Sequence, residues 1–109
     1  MKTSEDYQRL LKTKGVSLQE LGIRDIALDR DDALLAVQFL QKAAIPILGG
    51  DVYLRRGNGI ELAYADWHSD PKPGEELESY LSRSSSTAQD YVKNFRQPMD
   101  ATILFAIVI

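Results

Sequence analysis

The three residues Gly57-Asn58-Gly59 place the strongest constraint on how this chain can fold. An Asn-Gly pair tolerates the positive φ angles that a type I′ hairpin turn requires. The residues on both sides are rich in β-branched, aromatic and aliphatic side chains, which favour the pleated surface of a strand. The pattern therefore predicts a long β-hairpin that spans about residues 44–68 and turns at Asn58 and Gly59.

A two-residue loop at this position also predicts the register of the hairpin. It sets three facing pairs, namely Arg56 with Glu61, Tyr53 with Tyr64, and Asp51 with Asp66. The first two pairs join opposite charges and two aromatic rings, and each such pair stabilises a hairpin by roughly 0.2–1 kcal/mol. The third pair brings like charges together, which is unfavourable unless a register change separates them or a function requires them.

The start of the hairpin leaves two interpretations open. Gly49 and Gly50 fit a bulge in one long bent strand, or a tight turn between two short strands. Because the flanking residues on both sides are of the strand type, we favour the bent strand. Either arrangement would allow another part of the backbone to approach closely.

The rest of the chain predicts three helices and two further strands. Apolar residues recur at helical spacing in three segments, at about 5–14, 30–43 and 75–96. Strands are expected at 23–28 and 102–109. The last of these is an unbroken apolar run, which is typical of a strand that is buried on both faces and central in its sheet.

This order of elements predicts the fold class. A strand, a helix and another strand in succession favour a right-handed parallel crossover. We therefore expect an α/β (α+β) two-layer sandwich with one mixed sheet of about four strands and helices mainly on one face. With 109 residues the chain has the size of one domain, so residues 1–109 are predicted to form a single unit.

Composition narrows the classes of function. The net charge of −3 disfavours general nucleic-acid binding, which normally uses a basic patch. The chain has no cysteine, so it contains neither a disulfide nor a cysteine-ligated metal. The first six residues lead into no apolar segment, and the apolar end at 101–109 is too short to span a membrane. We expect a cytoplasmic protein without a membrane partner, and a monomer is favoured.

The residues that bear catalytic chemistry are few. Asp66 and His68 lie near each other in sequence, and Asp51 is predicted to face Asp66, so a small metal-binding or ligand-binding enzyme that uses these three residues is one interpretation. However, the chain has one histidine and no glycine-rich phosphate loop leading into a helix. We therefore predict no enzyme activity, no cofactor and no metal site, and keep the small enzyme as the alternative.

Aromatic and charged residues together on the hairpin instead predict a protein-binding surface. Tyrosine, tryptophan and arginine are enriched among the residues that dominate protein interfaces. Six residues are expected to contact a partner: Asp51, Tyr53, Glu61, Tyr64, Asp66 and Trp67. Trp67 is the strongest candidate among them.

At this hairpin the chain resembles a bacterial family, immunity protein 40 of polymorphic toxin systems. The resemblance begins at Ile26-Ala27-Leu28 and the helix that follows, and it is most specific in Gly49-Gly50-Asp51-Val52-Tyr53. It continues through Tyr64-Ala65-Asp66-Trp67 and Pro73-Gly74-Glu75, and covers most of the chain beyond about Gly22.

The resemblance implies an inhibitor and not an enzyme. A protein of this kind would bind a cognate toxin domain and neutralise it by occluding the active site of the toxin. The partner would then be a protein, and the mild acidity of the chain would favour a basic one through electrostatic steering.

Overall fold

The computed structural model describes residues 4–109. Residues 1–3, which belong to the segment where no secretory signal is predicted, lie outside this range. The described elements are the helices α1 (Glu5–Lys14), α2 (Arg30–Lys42) and α3 (Leu77–Asn94), a 3₁₀ turn (Gln19–Leu21), and the strands β1 (Val16–Ser17), β2 (Ile26–Ala27), β3 (Gly49–Arg56), β4 (Gly59–His68) and β5 (Thr102–Val108). No helix among them is long and apolar enough to cross a membrane.

All three predicted helices are confirmed, and a side chain caps the start of α1 and of α2. The Ser4 hydroxyl accepts a hydrogen bond from the Tyr7 N–H at 3.1 Å, which satisfies one free donor at the start of α1. The Asp29 carboxylate does the same for the Asp32 N–H at 2.9 Å at the start of α2. The helices α2 and α3 each bury one face, and this tertiary packing supplies most of their stability.

The strands form two small antiparallel sheets, so the prediction of one mixed sheet of about four strands is wrong. One sheet has three strands in the order β4-β3-β5, and the other pairs β1 with β2. Beyond β2, a reciprocal pair of hydrogen bonds of 2.8 and 2.7 Å joins Leu28 to Phe105 of β5. The crossover from β2 through α2 therefore does not bring β2 beside β3, because β5 occupies that place.

The position of β5 corrects a second expectation. In the three-stranded sheet the central strand is β3, whereas β5 is an outer strand, and its other edge forms an isolated backbone bridge with Leu28. The predicted burial on both faces is nevertheless confirmed, since residues 103–106 are all buried. Helices cover one face of this strand, and the 3₁₀ turn with β1 and β2 covers the other, which explains the unbroken apolar run.

The three-stranded sheet therefore separates two apolar clusters. On the helical face, Val52 and Phe105 pack with residues of α2 and α3. On the second face, Tyr53 and Leu104 pack with Leu18, which lies beside the 3₁₀ turn. The fold is thus mixed α+β, with three helices and two small antiparallel sheets in the described part of the chain.

The predicted hairpin is present, but its turn lies one residue earlier than expected. Arg56 pairs with Gly59, so Gly57 and Asn58 form the two-residue loop. The positive φ falls on Gly57 at +57° and not on Asn58, as in a type II′ turn. Near the turn, Tyr53 consequently faces Leu62, and the predicted pairing of Tyr53 with Tyr64 is wrong.

The Gly49-Gly50 segment is neither a bulge nor a tight turn. The strand β3 begins at Gly49, and both residues pair in register with β4 and with β5. A Cβ at Gly49 would stand 2.2 Å from the carbonyl oxygen of Trp67. These glycines therefore allow neighbouring groups to approach closely, as we expected for either a bulge or a tight turn.

Candidate interaction surface

A bulge in β4 is the main irregularity of the three-stranded sheet. Asp51 pairs with Asp66 and Tyr53 pairs with Leu62, so Val52 alone stands opposite the three residues Ala63-Tyr64-Ala65. Tyr64 has a φ of +56°, in the left-handed region that few tyrosines adopt. Its side chain is 90% exposed. Bulges bend a strand and redirect side chains, and this one directs a tyrosine into solvent.

Beyond the bulge, the predicted register holds and Asp51 faces Asp66. The Asp66 side chain is 55% exposed, and its Oδ1 lies 3.7 Å from Nε2 of His68. Asp51 is half-buried, and burial raises its pKa, with further increases from the carboxylates of Asp66 and Asp25 and an opposing effect of His68. The facing carboxylates therefore repel each other in the free protein.

The bulge and the facing carboxylates share one cleft. Its volume is about 120 Å³, and Asp51, Tyr53, Leu62, Tyr64 and Asp66 are among the residues that line it. Leu62 is 43% exposed on this side, so an apolar side chain lies beside the tyrosine and the two acids. We call the four solvent-accessible members, Asp51, Leu62, Tyr64 and Asp66, the bulge surface.

Two of the six predicted contact residues lie beneath the surface. Tyr53 is 4% exposed and Trp67 is 5% exposed, and they belong to the clusters on opposite faces of the sheet. The indole ring of Trp67 stacks on the ring of Tyr91 in α3, with 4.7 Å between the ring centroids. These two side chains support the bulge surface from below and do not themselves face solvent.

Glu61 lies near the turn and is engaged within the chain. Its Oε1 accepts a hydrogen bond from Nε of Arg56 at 2.7 Å, and Arg56 also pairs with Asp100. The predicted ion pair of Arg56 with Glu61 is therefore confirmed, although the two residues lie diagonally because Arg56 faces Gly59. The pair connects the hairpin turn to the segment that precedes β5.

The geometry gives no support to the alternative of a metal-binding enzyme. Among residues 4–109, no group of three or more histidine, aspartate or glutamate side chains is placed to hold a metal ion. Asp51, Asp66 and His68 lie near one another at one end of the hairpin, but they do not form such a group.

Sequence reasoning missed one member of the bulge surface. Leu62 lies in the cleft because it faces Tyr53, and it does so only because β4 contains two more residues than a regular ladder allows. A single-sequence pattern carries no direct signal for such an insertion. The left-handed backbone conformation at Tyr64 could not be predicted either, because tyrosine does not favour this conformation.

Comparison with known proteins adds independent information. No curated protein and no solved structure matches the chain significantly. The family model described as Immunity protein 40 matches residues 17–109, which is most of the chain and includes every residue of the bulge surface. The chain therefore belongs to the immunity protein 40 family, and its general role is that of an immunity protein.

Proposed function

We propose that this protein binds a cognate bacterial toxin domain through the bulge surface and neutralises it by covering the active site of the toxin. The observation that carries this proposal is Tyr64, which is 90% exposed on a bulge beside the facing carboxylates of Asp51 and Asp66. Membership of the immunity protein family supports a protein partner. Inhibition by binding requires no reaction, so the proposed role is not enzymatic.

The composition of the surface suits an interface. Tyrosine combines a large apolar ring with a hydroxyl group, and it is enriched among the residues that dominate binding energy at protein interfaces. Leu62 adds apolar area, and Asp51 and Asp66 add charge that a partner can neutralise. The three-stranded sheet beneath them gives the surface a rigid support, which lowers the entropy lost on binding.

The proposed roles of the six predicted contact residues differ. Tyr64, Asp51 and Asp66 would touch the toxin directly, and Glu61 would lie at the margin because Arg56 already engages it. Tyr53 and Trp67 would act indirectly, by holding β3 and β4 in place beneath the surface. A protein with a net charge of −3 would meet a basic toxin domain faster than a neutral one would.

Co-expression tests this function. We expect a neighbouring gene to encode the cognate toxin. This toxin domain is expressed in cells with the wild-type chain, and survival is compared with that of cells that carry Gly50→Val, which is expected to prevent folding. Rescue by the wild-type chain and a stable one-to-one complex on gel filtration would support the proposal. Death of the cells despite soluble wild-type protein would reject it.

Location and assembly need two further measurements. We propose that the chain acts in the cytoplasm of the producing cell as a monomer. Fractionation of the rescued cells and light scattering of the free protein measure these two properties directly.

A further inference from the structure

Tyr64 occupies a position that the fold itself gives no reason to assign to tyrosine. Its φ of +56° is unfavourable for any residue with a Cβ, and glycine or asparagine adopts it more readily. Because the side chain is 90% exposed, the folded chain gains little from burying the ring. The ring on this bulge is therefore available to a molecule outside the chain.

We infer that Tyr64 inserts into an apolar pocket of the toxin, and that arginine or lysine side chains at the rim of this pocket pair with Asp51 and Asp66. This inference rests on the proposed function and names the chemistry of the partner at the same surface. Leu62 would contact the apolar wall beside the inserted ring.

The edge of β4 favours contact through side chains over the addition of a partner strand. This strand is the outer one of its sheet, so one side of its backbone is open. At Ile60 the open side is already occupied, since the N–H donates to the Glu20 carboxylate at 3.2 Å. The bulge then interrupts the strand at 63–65. Protected and interrupted edges of this kind discourage strand pairing.

The facing carboxylates determine the charge of the rim. Within the described chain Asp51 forms no ion pair, and Asp66 has only the exposed imidazole of His68 at 3.7 Å. Like charges directly opposite each other destabilise a sheet. A cationic side chain that lies between them would remove this repulsion and form ion pairs with both. A basic rim would therefore contribute more binding free energy here than beside an isolated carboxylate.

The decisive variant is Tyr64→Gly. Glycine removes the ring and also relieves the left-handed backbone, so the variant should fold at least as well as the wild type by circular dichroism and thermal melting. We expect its dissociation constant for the toxin domain to rise about 30-fold or more, as for a central interface residue. Tyr64→Phe, which keeps the ring, should bind within a few-fold of the wild type. Leu77→Ala, at an exposed site on α3, is the matched control and should bind normally.

The charge of the rim has its own test. Asp66→Asn should raise the dissociation constant about 10-fold and should reduce the dependence of the association rate on salt, because one attractive pair is lost. Asp90→Asn removes an equal charge from α3, whose packing is on the other face of the sheet, and should change neither quantity.

The outcomes separate the two levels of the proposal. If the wild type binds the toxin but Tyr64→Gly and Asp66→Asn bind equally well, the inserted tyrosine and the basic rim are wrong and the proposed function stands. If only Tyr64→Gly weakens binding, the pocket is supported and the basic rim is rejected. If the folded wild type does not bind, the proposed function fails, and this inference fails with it.

Discussion

The indole ring of Trp67 lies directly over the backbone of Gly50. A Cβ at position 50 would stand 2.2 Å from Cη2 and 2.4 Å from Cζ3 of that ring, so only glycine fits beneath it. The ring continues into a row of aromatic contacts, with Tyr91 at 4.7 Å, and then Phe95 and Phe105 at 5.7 and 6.0 Å between successive centroids. This contact fixes the end of the hairpin that leads into the bulge.

We therefore expect Gly50→Ala to destabilise the protein by about 1–3 kcal/mol, because the methyl group would force the indole ring out of its packed position. Urea unfolding followed by tryptophan fluorescence measures the change. Gly59→Ala is the matched control, since the nearest atom to a Cβ there is 3.9 Å away and its stability should change by less than about 0.5 kcal/mol. Equal effects of the two substitutions would contradict the proposed packing.

A second prediction concerns Arg30, which closes the carboxyl-terminal end of α3. Its guanidinium group donates hydrogen bonds to the carbonyl oxygens of Val92, Lys93 and Phe95, at 3.1, 2.8 and 2.7 Å. The substitution Arg30→Met should cost about 1–3 kcal/mol, because these carbonyls lose a charged donor at a partly buried site. Thermal unfolding measures the loss. Arg24→Met, at an exposed position, should have little effect, and an equal loss there would point to a general effect of charge.

A third prediction concerns Ala44, which ends α2 in a left-handed conformation with a φ of +57°. The N–H groups of Ala44 and Ile45 donate to the carbonyls of Gln41 and Leu40, the arrangement that usually has glycine at this position. Ala44→Gly should therefore raise the free energy of unfolding by about 0.5–1 kcal/mol. Ala36→Gly, within α2, should lower it. A loss of stability at both positions would contradict the capping argument.

A fourth prediction concerns the acid stability of the loop before α3. The hydrogen bonds from Arg83, at 2.7 and 2.8 Å, lower the pKa of Glu75 to about 2, with a further contribution from the Lys72 N–H. Because the folded state holds this carboxylate ionised, its stabilising effect is complete above about pH 4.5 and is lost as the pH falls towards 2.

The variant Glu75→Gln should accordingly reduce the melting temperature most near neutral pH and should show a smaller decrease between pH 4.5 and pH 2 than the wild type. Melting curves recorded across this range provide the measurement. Asp90→Asn, which removes a carboxylate from the exposed side of α3, should leave the shape of the wild-type profile unchanged. A parallel profile for Glu75→Gln would show that the ion pair with Arg83 does not govern acid stability.

The register of the hairpin shows which pairings a local sequence pattern can predict and which it cannot. The contact of Gly50 with Trp67 fixes one end, and the turn at Gly57 and Asn58 fixes the other. Between these ends, residues 50–56 of β3 pair with residues 59–67 of β4, so two residues of β4 are in excess and emerge as the bulge. The predicted turn lay one residue too late, which shifted the predicted pairs near the turn by two residues and misplaced Tyr53. The two extra residues of β4 cancel this shift beyond the bulge, so Asp51 faces Asp66 as predicted.

Features that depend on near neighbours could be predicted from the amino-acid sequence alone. Helical periodicity located three helices, side-chain caps marked the start of two of them, and turn chemistry located the hairpin, because these signals act over a few residues. The order of the strands, the bulge at Tyr64 and the burial of Tyr53 and Trp67 became visible only in the folded chain. These features depend on which distant segments compete to cover each face of the sheet, and β5 takes its place beside β3 through packing that no local pattern specifies.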